Sequence, residues 1–265
     1  MRKSGILAHP TSFPSKYGIG DLGKGAYEFV DFLEKSGQKL WQILPLGQTS
    51  FGDSPYQSFS AFAGNIYIIS PDIFVKKGYL SKKDIEVVPE FDEKNVEYGK
   101  VINYKMSLFR KAFKNFKEDK KYLGFCEKNA FWLDDYSLFM SLKNYFIEQR
   151  KNTYESAEYK AYYSANEKKV KLNAIKDCFY GGAWNSFPED IRDKKPKAVE
   201  KYTKLLKTEI DFYKFLQYEF FTQWQELKEY ANEKEIEIIG DIPIFVAEDS
   251  ADVWSNRNLF SLDTK

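Results

Sequence analysis

Two stretches of the sequence combine acidic, hydroxyl and aromatic side chains that suit a polyhydroxyl ligand. TSFGDSPYQSFSAFAGN (49–65) offers Asp53, Ser54 and Tyr56 within four residues, and IIGDIPIFVAEDSADVW (238–254) places Asp241 where an apolar run meets a loop. A tyrosine ring stacks on a sugar face, while carboxylates and hydroxyls hydrogen-bond sugar hydroxyls. We take these four residues as candidates for substrate binding. The alternative for residues 49–65 is a turn-rich surface loop without a ligand.

Three further carboxylates follow Asp241: Glu248, Asp249 and Asp252. One interpretation is helix capping, since Asp249 or Ser250 ahead of ADVW would accept hydrogen bonds from free backbone N–H groups. The other is a complete hydrolase that pairs Asp241 with Glu248 or Asp249. Neighbours on one loop rarely place two carboxyls across a scissile bond, so we favour capping.

The remaining candidate motifs do not indicate a cofactor or a metal. GIGDLG (18–23) matches a dinucleotide-binding spacing, but two prolines and a long loop separate it from the preceding strand, so we interpret it as a turn. His9 is the single histidine, which leaves a metal site without a second imidazole. We expect it to have a structural role at the end of the strand, the alternative being contact with a substrate. Cys126 and Cys178 are far apart and are expected to be reduced.

Composition excludes some partners and leaves one question open. Forty basic residues against 39 acidic ones give a net charge of +1, which does not favour nucleic acid or an anionic membrane. No apolar run approaches the ~20 residues of a membrane span. We therefore expect a cytoplasmic protein that binds neither. Aromatic residues make up 18% of the chain, which either fills the core or lines a sugar-binding cleft.

The elements that must position these residues alternate between strands and helices. Apolar runs at 5–9, 39–47 and 236–247 predict buried parallel strands, and 64–74 is a doubtful extended segment. KGAYEFVDFLEKSG (24–37) predicts a helix, as do VINYKMSLFRKAFKNF, FWLDDYSLFMSLKNYFIEQ and EIDFYKFLQYEFFTQWQELKEYANE. The pattern predicts an α/β fold of the (β/α)₈ TIM-barrel type, of which this chain holds only the early strands.

We divide the chain at two changes of character. Residues 1–80 carry the first barrel strands and the substrate loop, and 81–209 form a Lys- and Glu-rich helical insertion. Residues 210–265 carry a barrel helix, the third-strand motif and the start of the following loop, so that the rest of the barrel is absent from this chain.

Several of these motifs resemble the amylomaltase family, the 4-α-glucanotransferases of glycoside hydrolase family 77. HPTSFPSKYGIGDLG is similar to the family's first-strand loop, and LPLGQTSFGDSPYQSFSAFAGN to its most distinctive stretch. IIGDIPIFVAEDSADVW is similar to its third-strand motif, while FWLDDYSLFMSLK and WNSFPEDIR match patterns of its helical insertion. The resemblance covers nearly the whole chain, with Phe51 in place of a frequent tyrosine and Ile66 in place of a frequent proline.

The resemblance implies a retaining transfer between maltooligosaccharides or α-1,4-glucans without an organic cofactor or a catalytic metal. Tyr56 matches the tyrosine that stacks on the sugar beside the scissile bond, and Asp241 matches the aspartate that hydrogen-bonds the same sugar. No Arg-Ile-Asp-His-Phe-Arg-like nucleophile motif occurs in this chain. We therefore expect no catalytic residue here, with the nucleophilic aspartate and the acid/base glutamate beyond Lys265, and an inactive chain on its own. The alternative is a non-catalytic glucan-binding half-barrel that needs a partner.

Overall fold

The computed structural model describes residues 2–49, 53–155 and 182–262, so that Phe51 and Cys178 lie outside the described residues. The chain divides into two compact units. The first comprises Met1–Asn129 and Lys214–Val246, and the second comprises Ala130–Tyr213 and Ala247–Lys265. The division at residues 81 and 210, which rests on composition and the family pattern, stays a prediction.

A three-stranded parallel sheet forms the centre of the first unit. The strands are β1 (Gly5–Leu7), β2 (Leu40–Gln42) and β3 (Glu237–Ile239), in the order β1-β2-β3. Ile6 pairs with Trp41, and Trp41 pairs with Ile238. Parallel strands need crossover connections, which here run through the helices between them. The α/β class predicted from the sequence is confirmed.

The sheet is covered on one face only within the described residues. Trp41 is fully buried, packs against Phe29 and Trp224 with ring centroids 5.5 and 6.3 Å away, and donates its indole N–H to the Ala8 carbonyl. On the opposite face, Leu7 is 55% exposed. Alternate side chains of a strand point to opposite sides, and within the described residues only one side of the sheet has a packing partner. That both faces are covered in the complete barrel stays a prediction.

Most of the regular secondary structure in the described residues is helical. They are α1 (Lys24–Lys35), α2 (Pro71–Lys76), α3 (Tyr98–Asn115), α4 (Lys120–Glu155), α5 (Glu189–Arg192), α6 (Pro196–Leu205), α7 (Lys207–Glu233) and α8 (Ala251–Ser255). Short 3₁₀ turns occur at Pro10–Ser12, Ile66–Ile68, Lys82–Ile85, Trp184–Ser186 and Arg257–Leu259. No described helix has the length and apolar content needed to cross a bilayer.

The helix predictions from periodicity are confirmed, whereas two strand predictions are not. Helix α7 buries Leu216, Phe220 and Leu227 at the predicted spacing. The extended segment expected at 64–74 is a 3₁₀ turn followed by α2, because the Asn65 side chain accepts the Tyr67 N–H and a proline begins α2. The strand expected over 236–247 ends at Ile239.

The second unit has its own aromatic core and a part-buried ion pair. Phe139 packs against Phe187 and Trp254 with ring centroids 6.4 and 5.9 Å apart. Lys143 donates to the Gly182 carbonyl and to Asp249. Burial lowers the pKa of Lys143, against the opposing effect of the carboxylate. The pair therefore holds the start of the 247–265 segment within this unit.

Candidate functional site

Tyr56 and Asp241, predicted separately from two distant stretches, meet in the first unit. The Tyr56 hydroxyl donates a hydrogen bond of 2.7 Å to Asp241 Oδ2. Tyr56 lies in the loop after β2, and Asp241 comes two residues after the last residue of the adjacent strand β3. The carboxyl ends of neighbouring parallel strands lie at one edge of a sheet, which is where α/β proteins build their sites.

The pair is oriented but open to solvent. Tyr56 is 39% exposed, so a face of its ring is available for contact. The hydrogen bond to Asp241 is the main cause that raises the pKa of Tyr56. Asp241 Oδ1 accepts the Ile242 N–H at 2.8 Å. Since a carboxylate offers about four lone pairs, this arrangement leaves acceptor capacity on Asp241 for two ligand hydroxyls.

Ser54 and Asp53, the other two predicted site residues, shape the loop that carries Tyr56. Ser54 accepts the Tyr56 N–H on its hydroxyl at 3.3 Å, and its carbonyl accepts the Gln57 N–H. Asp53 has a left-handed backbone with φ of 53°, a conformation that aspartate tolerates in turns. Its charge contributes, after burial, to raising the pKa of Tyr98. The structure thus places Ser54 in the turn that precedes Tyr56 and leaves Asp53 exposed.

The base of this loop is fixed by buried polar contacts. Isolated antiparallel bridges join Gly47 to Gly64 and Thr49 to Ser58. Gln217 of α7 is fully buried, and its side-chain amide bonds both backbone groups of Gly64: Oε1 accepts the N–H at 2.8 Å and Nε2 donates to the carbonyl at 3.0 Å. The loop therefore has an exposed tip on a rigid base.

Two positioning residues at this base were missed from the sequence. Gly64 lies against the ring of Phe220, where an added Cβ would come within 2.0 Å of ring carbons. Gln217 follows Tyr213 by four residues and so occupies the buried face of α7. A polar residue on an otherwise apolar helical face was the available signal, because a buried amide needs hydrogen-bonding partners from elsewhere in the fold.

The acidic residues after Asp241 serve the second unit. Asp249 accepts hydrogen bonds from Lys143 and from the Trp184 N–H, and the Glu248 carbonyl accepts the Trp184 indole N–H at 2.8 Å. Ser250 is the N-cap of α8, with its hydroxyl accepting the Val253 N–H. The capping expectation is confirmed at Ser250 but not at Asp249, whose carboxylate is engaged in the ion pair. No group of three potential metal ligands occurs among the described side chains.

Comparison with known proteins gives a consistent result. A family model for glycoside hydrolase family 77, described as 4-alpha-glucanotransferase, matches residues 8–172 and 146–265. A 4-alpha-glucanotransferase of Clostridium butyricum is 50% identical over 258 residues, which is 96% of this chain and 46% of that protein. One from Synechocystis is 40% identical over 268 residues, 99% of this chain and 46% of that protein.

The structural comparison agrees. An amylomaltase from Streptococcus agalactiae in complex with acarbose superposes with a TM-score of 0.82 at 37% identity, covering all of this chain and 48% of that one. The chain belongs to glycoside hydrolase family 77, the family of 4-alpha-glucanotransferases. It spans about half the length of the curated relatives it matches.

Proposed function

We propose that the protein carrying this chain is a 4-α-glucanotransferase that moves α-1,4-glucan segments between maltooligosaccharides or longer glucans in the cytoplasm. The observation that carries the proposal is the contact between Tyr56 and Asp241 at the carboxyl ends of adjacent parallel strands, in a chain of this family. The acarbose complex of the Streptococcus agalactiae relative supports a glucan-like ligand.

The three strands are then the start of a (β/α)₈ barrel, with this chain contributing one wall of the glucan cleft. In a retaining transfer, an aspartate attacks the anomeric carbon while a glutamate protonates the leaving oxygen, the two carboxyls being ~5–5.5 Å apart. The glucosyl–enzyme bond is then broken by the 4-hydroxyl of an acceptor sugar, whose proton returns to the glutamate. No cofactor or metal takes part.

Tyr56 and Asp241 would bind the sugar next to the scissile bond. The hydrogen bond to Asp241 fixes the orientation of the Tyr56 ring, so stacking costs little further side-chain entropy. The remaining lone pairs of Asp241 accept sugar hydroxyls, each charge-assisted contact contributing roughly 1.5–3 kcal/mol. Contacts that strengthen as the sugar ring distorts raise kcat, whereas contacts of constant strength lower KM.

The test compares variants of the full-length protein in the conversion of maltotriose into glucose and longer glucans. We expect Tyr56→Phe, which keeps the ring and loses the hydroxyl, to lower kcat/KM by up to about tenfold. Tyr56→Ala and Asp241→Asn should each lower it by about 10- to 100-fold. Phe32→Ala is the matched control, because it truncates another half-exposed aromatic residue, on α1, without touching the site.

Unchanged kcat/KM in both Tyr56→Ala and Asp241→Asn would exclude this site. Binding of maltotriose without any transfer by the full-length protein would instead indicate the non-catalytic glucan-binding alternative. The 265-residue chain by itself should release no glucose, because it has no nucleophile motif of the family type and positioning alone does not replace a nucleophile.

A further inference from the structure

His9 is a buried polar residue whose side chain makes no hydrogen bond within the described part of the chain. It is 9% exposed, and its ring nitrogen Nδ1 is enclosed without a partner. Buried polar groups are nearly always paired, since leaving one unpaired costs roughly 1–3 kcal/mol. An apolar residue would cost the fold less, so stability alone does not explain a histidine at this position.

The register of the sheet places His9 beside the Tyr56–Asp241 site. Leu7 of β1 and Ile239 of β3 lie at one level of the sheet, because both pair with Gln42 of β2. His9 and Asp241 each follow that level by two residues, and His9 has an extended backbone with φ of −80° and ψ of 139°. The two residues therefore lie at about the same level, just beyond the carboxyl ends of β1 and β3.

His9 belongs to the face of the sheet that the described helices leave open. Side chains alternate along an extended strand, so His9 lies on the same side as Leu7 and on the side opposite to Trp41. Trp41 is fully buried against helices, whereas Leu7 is 55% exposed. Neighbouring strands are about 4.8 Å apart, so roughly 10 Å separates His9 from Asp241 across β2. A glucan of two or three sugar units spans such a distance.

The imidazole of His9 offers what Asp241 lacks. Burial lowers the pKa of His9 to about 4, so the ring is neutral at pH 7 and carries one N–H donor. Enclosed N–H groups without a partner are rarer than enclosed acceptors without one, which places the proton on Nε2, the nitrogen that is not enclosed. Nε2 therefore donates a hydrogen bond, whereas the Asp241 carboxylate only accepts.

We propose that His9 is a third substrate-binding residue, whose Nε2–H donates to an oxygen atom of the bound glucan at the carboxyl end of β1. This role rests on the transferase function proposed above. Tyr56 stacks on the sugar that Asp241 holds, while His9 holds a neighbouring part of the same glucan. The three residues follow three adjacent strands, so the binding surface extends along the whole described edge of the sheet.

The test compares three substitutions of His9 in the full-length protein, with maltotriose as the substrate. The amide nitrogen of glutamine reaches the position of Nε2, whereas that of asparagine reaches the position of Nδ1. His9→Gln should therefore keep kcat/KM within about twofold of the wild type, while His9→Asn and His9→Leu should each lower it by about 3- to 10-fold, as the loss of one neutral hydrogen bond does. Ile6→Val, on the covered face of β1, is the matched control and should leave kcat/KM unchanged.

Urea unfolding of the same variants at pH 7 separates a binding role from a structural one. Because Nδ1 has no partner, His9→Leu should leave the urea midpoint unchanged or raise it while kcat/KM falls. A lowered midpoint with unchanged kcat/KM would show that His9 only stabilises the fold and would overturn the proposal. Equal kcat/KM for His9→Gln and His9→Asn would also overturn it, because the position of the donor would then not matter.

Failure of the transferase function itself gives a different result. A wild-type protein that releases no glucose from maltotriose contradicts that function, and calorimetric binding of acarbose then tests His9 independently. His9→Leu and His9→Asn should bind acarbose about 3- to 10-fold more weakly than His9→Gln, and equal affinities would overturn the role of His9.

Discussion

Replacing Gln217 by methionine should destabilise the base of the loop that carries Tyr56. Methionine is unbranched and of similar size, so the change removes two hydrogen bonds without opening a large cavity. Gly64 then has a buried N–H and a buried carbonyl without partners, where the amide had bonded them at 2.8 and 3.0 Å. At roughly 1–3 kcal/mol for each of the two unsatisfied groups, we expect the free energy of unfolding to fall by about 2–6 kcal/mol.

The assay is urea unfolding, with Gln225→Met as the matched control. Gln225 lies on the same helix but is exposed, and its amide bonds Glu229 one turn away, so its replacement should cost below about 0.5 kcal/mol. With a urea dependence of about 2–3 kcal/mol per molar, Gln217→Met should lower the midpoint by about 1–3 M. Equal midpoints for the two variants would refute the reasoning.

Gln217→Met also tests whether the stability of the loop base affects the position of Tyr56. Gly64 closes the loop that carries Tyr56, so loss of its anchor should increase the hydrogen exchange of residues 53–64 more than that of α3. In the full-length protein, kcat/KM for maltotriose should fall while the protein is still folded, because Tyr56 is less well held against Asp241. Unchanged exchange in residues 53–64 would show that Gln217 does not hold the loop.

Three further predictions concern stability. Burial lowers the pKa of His9 to about 4, so the unfolded chain takes up the imidazole proton at a higher pH than the folded chain, and the free energy of unfolding should fall by about 2 kcal/mol from pH 6.5 to 5. In His9→Gln the urea midpoint should depend less on pH across that window, and an unchanged pH dependence would contradict the prediction. Lys105→Met leaves the buried Asp21 carboxylate without its ion-pair partner and should lower the free energy of unfolding, measured in urea, by about 3–5 kcal/mol. Adding Asp21→Asn should restore part of this loss, and strict additivity of the two changes would contradict the coupling. Gly64→Ala places a methyl group against the ring of Phe220 and should lower the melting temperature by several degrees. Gly99→Ala, on a helix with no neighbouring atoms in the way, should raise the melting temperature slightly, and similar shifts for the two variants would contradict the steric explanation.

The sequence alone was enough to predict the main helices and the family, and to select Tyr56 and Asp241 as candidate site residues. Helices α1 and α7 follow from apolar spacing alone, because a 3.6-residue period has few other interpretations. Tyr56 and Asp241 could be selected because each follows a predicted strand, and parallel strands bring the loops at their carboxyl ends together. Such inferences need only the local spacing of apolar residues and the order of strands and helices along the chain, which limits the possible topologies.

The tertiary structure decided what depends on distant partners. It paired Asp249 with Lys143, although local sequence allowed Asp249 to be a helix cap. It also gave Gln217 its role in holding the base of the loop, since the Gln217 side chain hydrogen-bonds the backbone of Gly64, 153 residues away in sequence. Whether a residue is buried, and which groups it hydrogen-bonds, depend on what packs against it in the folded protein. The apolar or polar character of a residue indicates only which environment favours it.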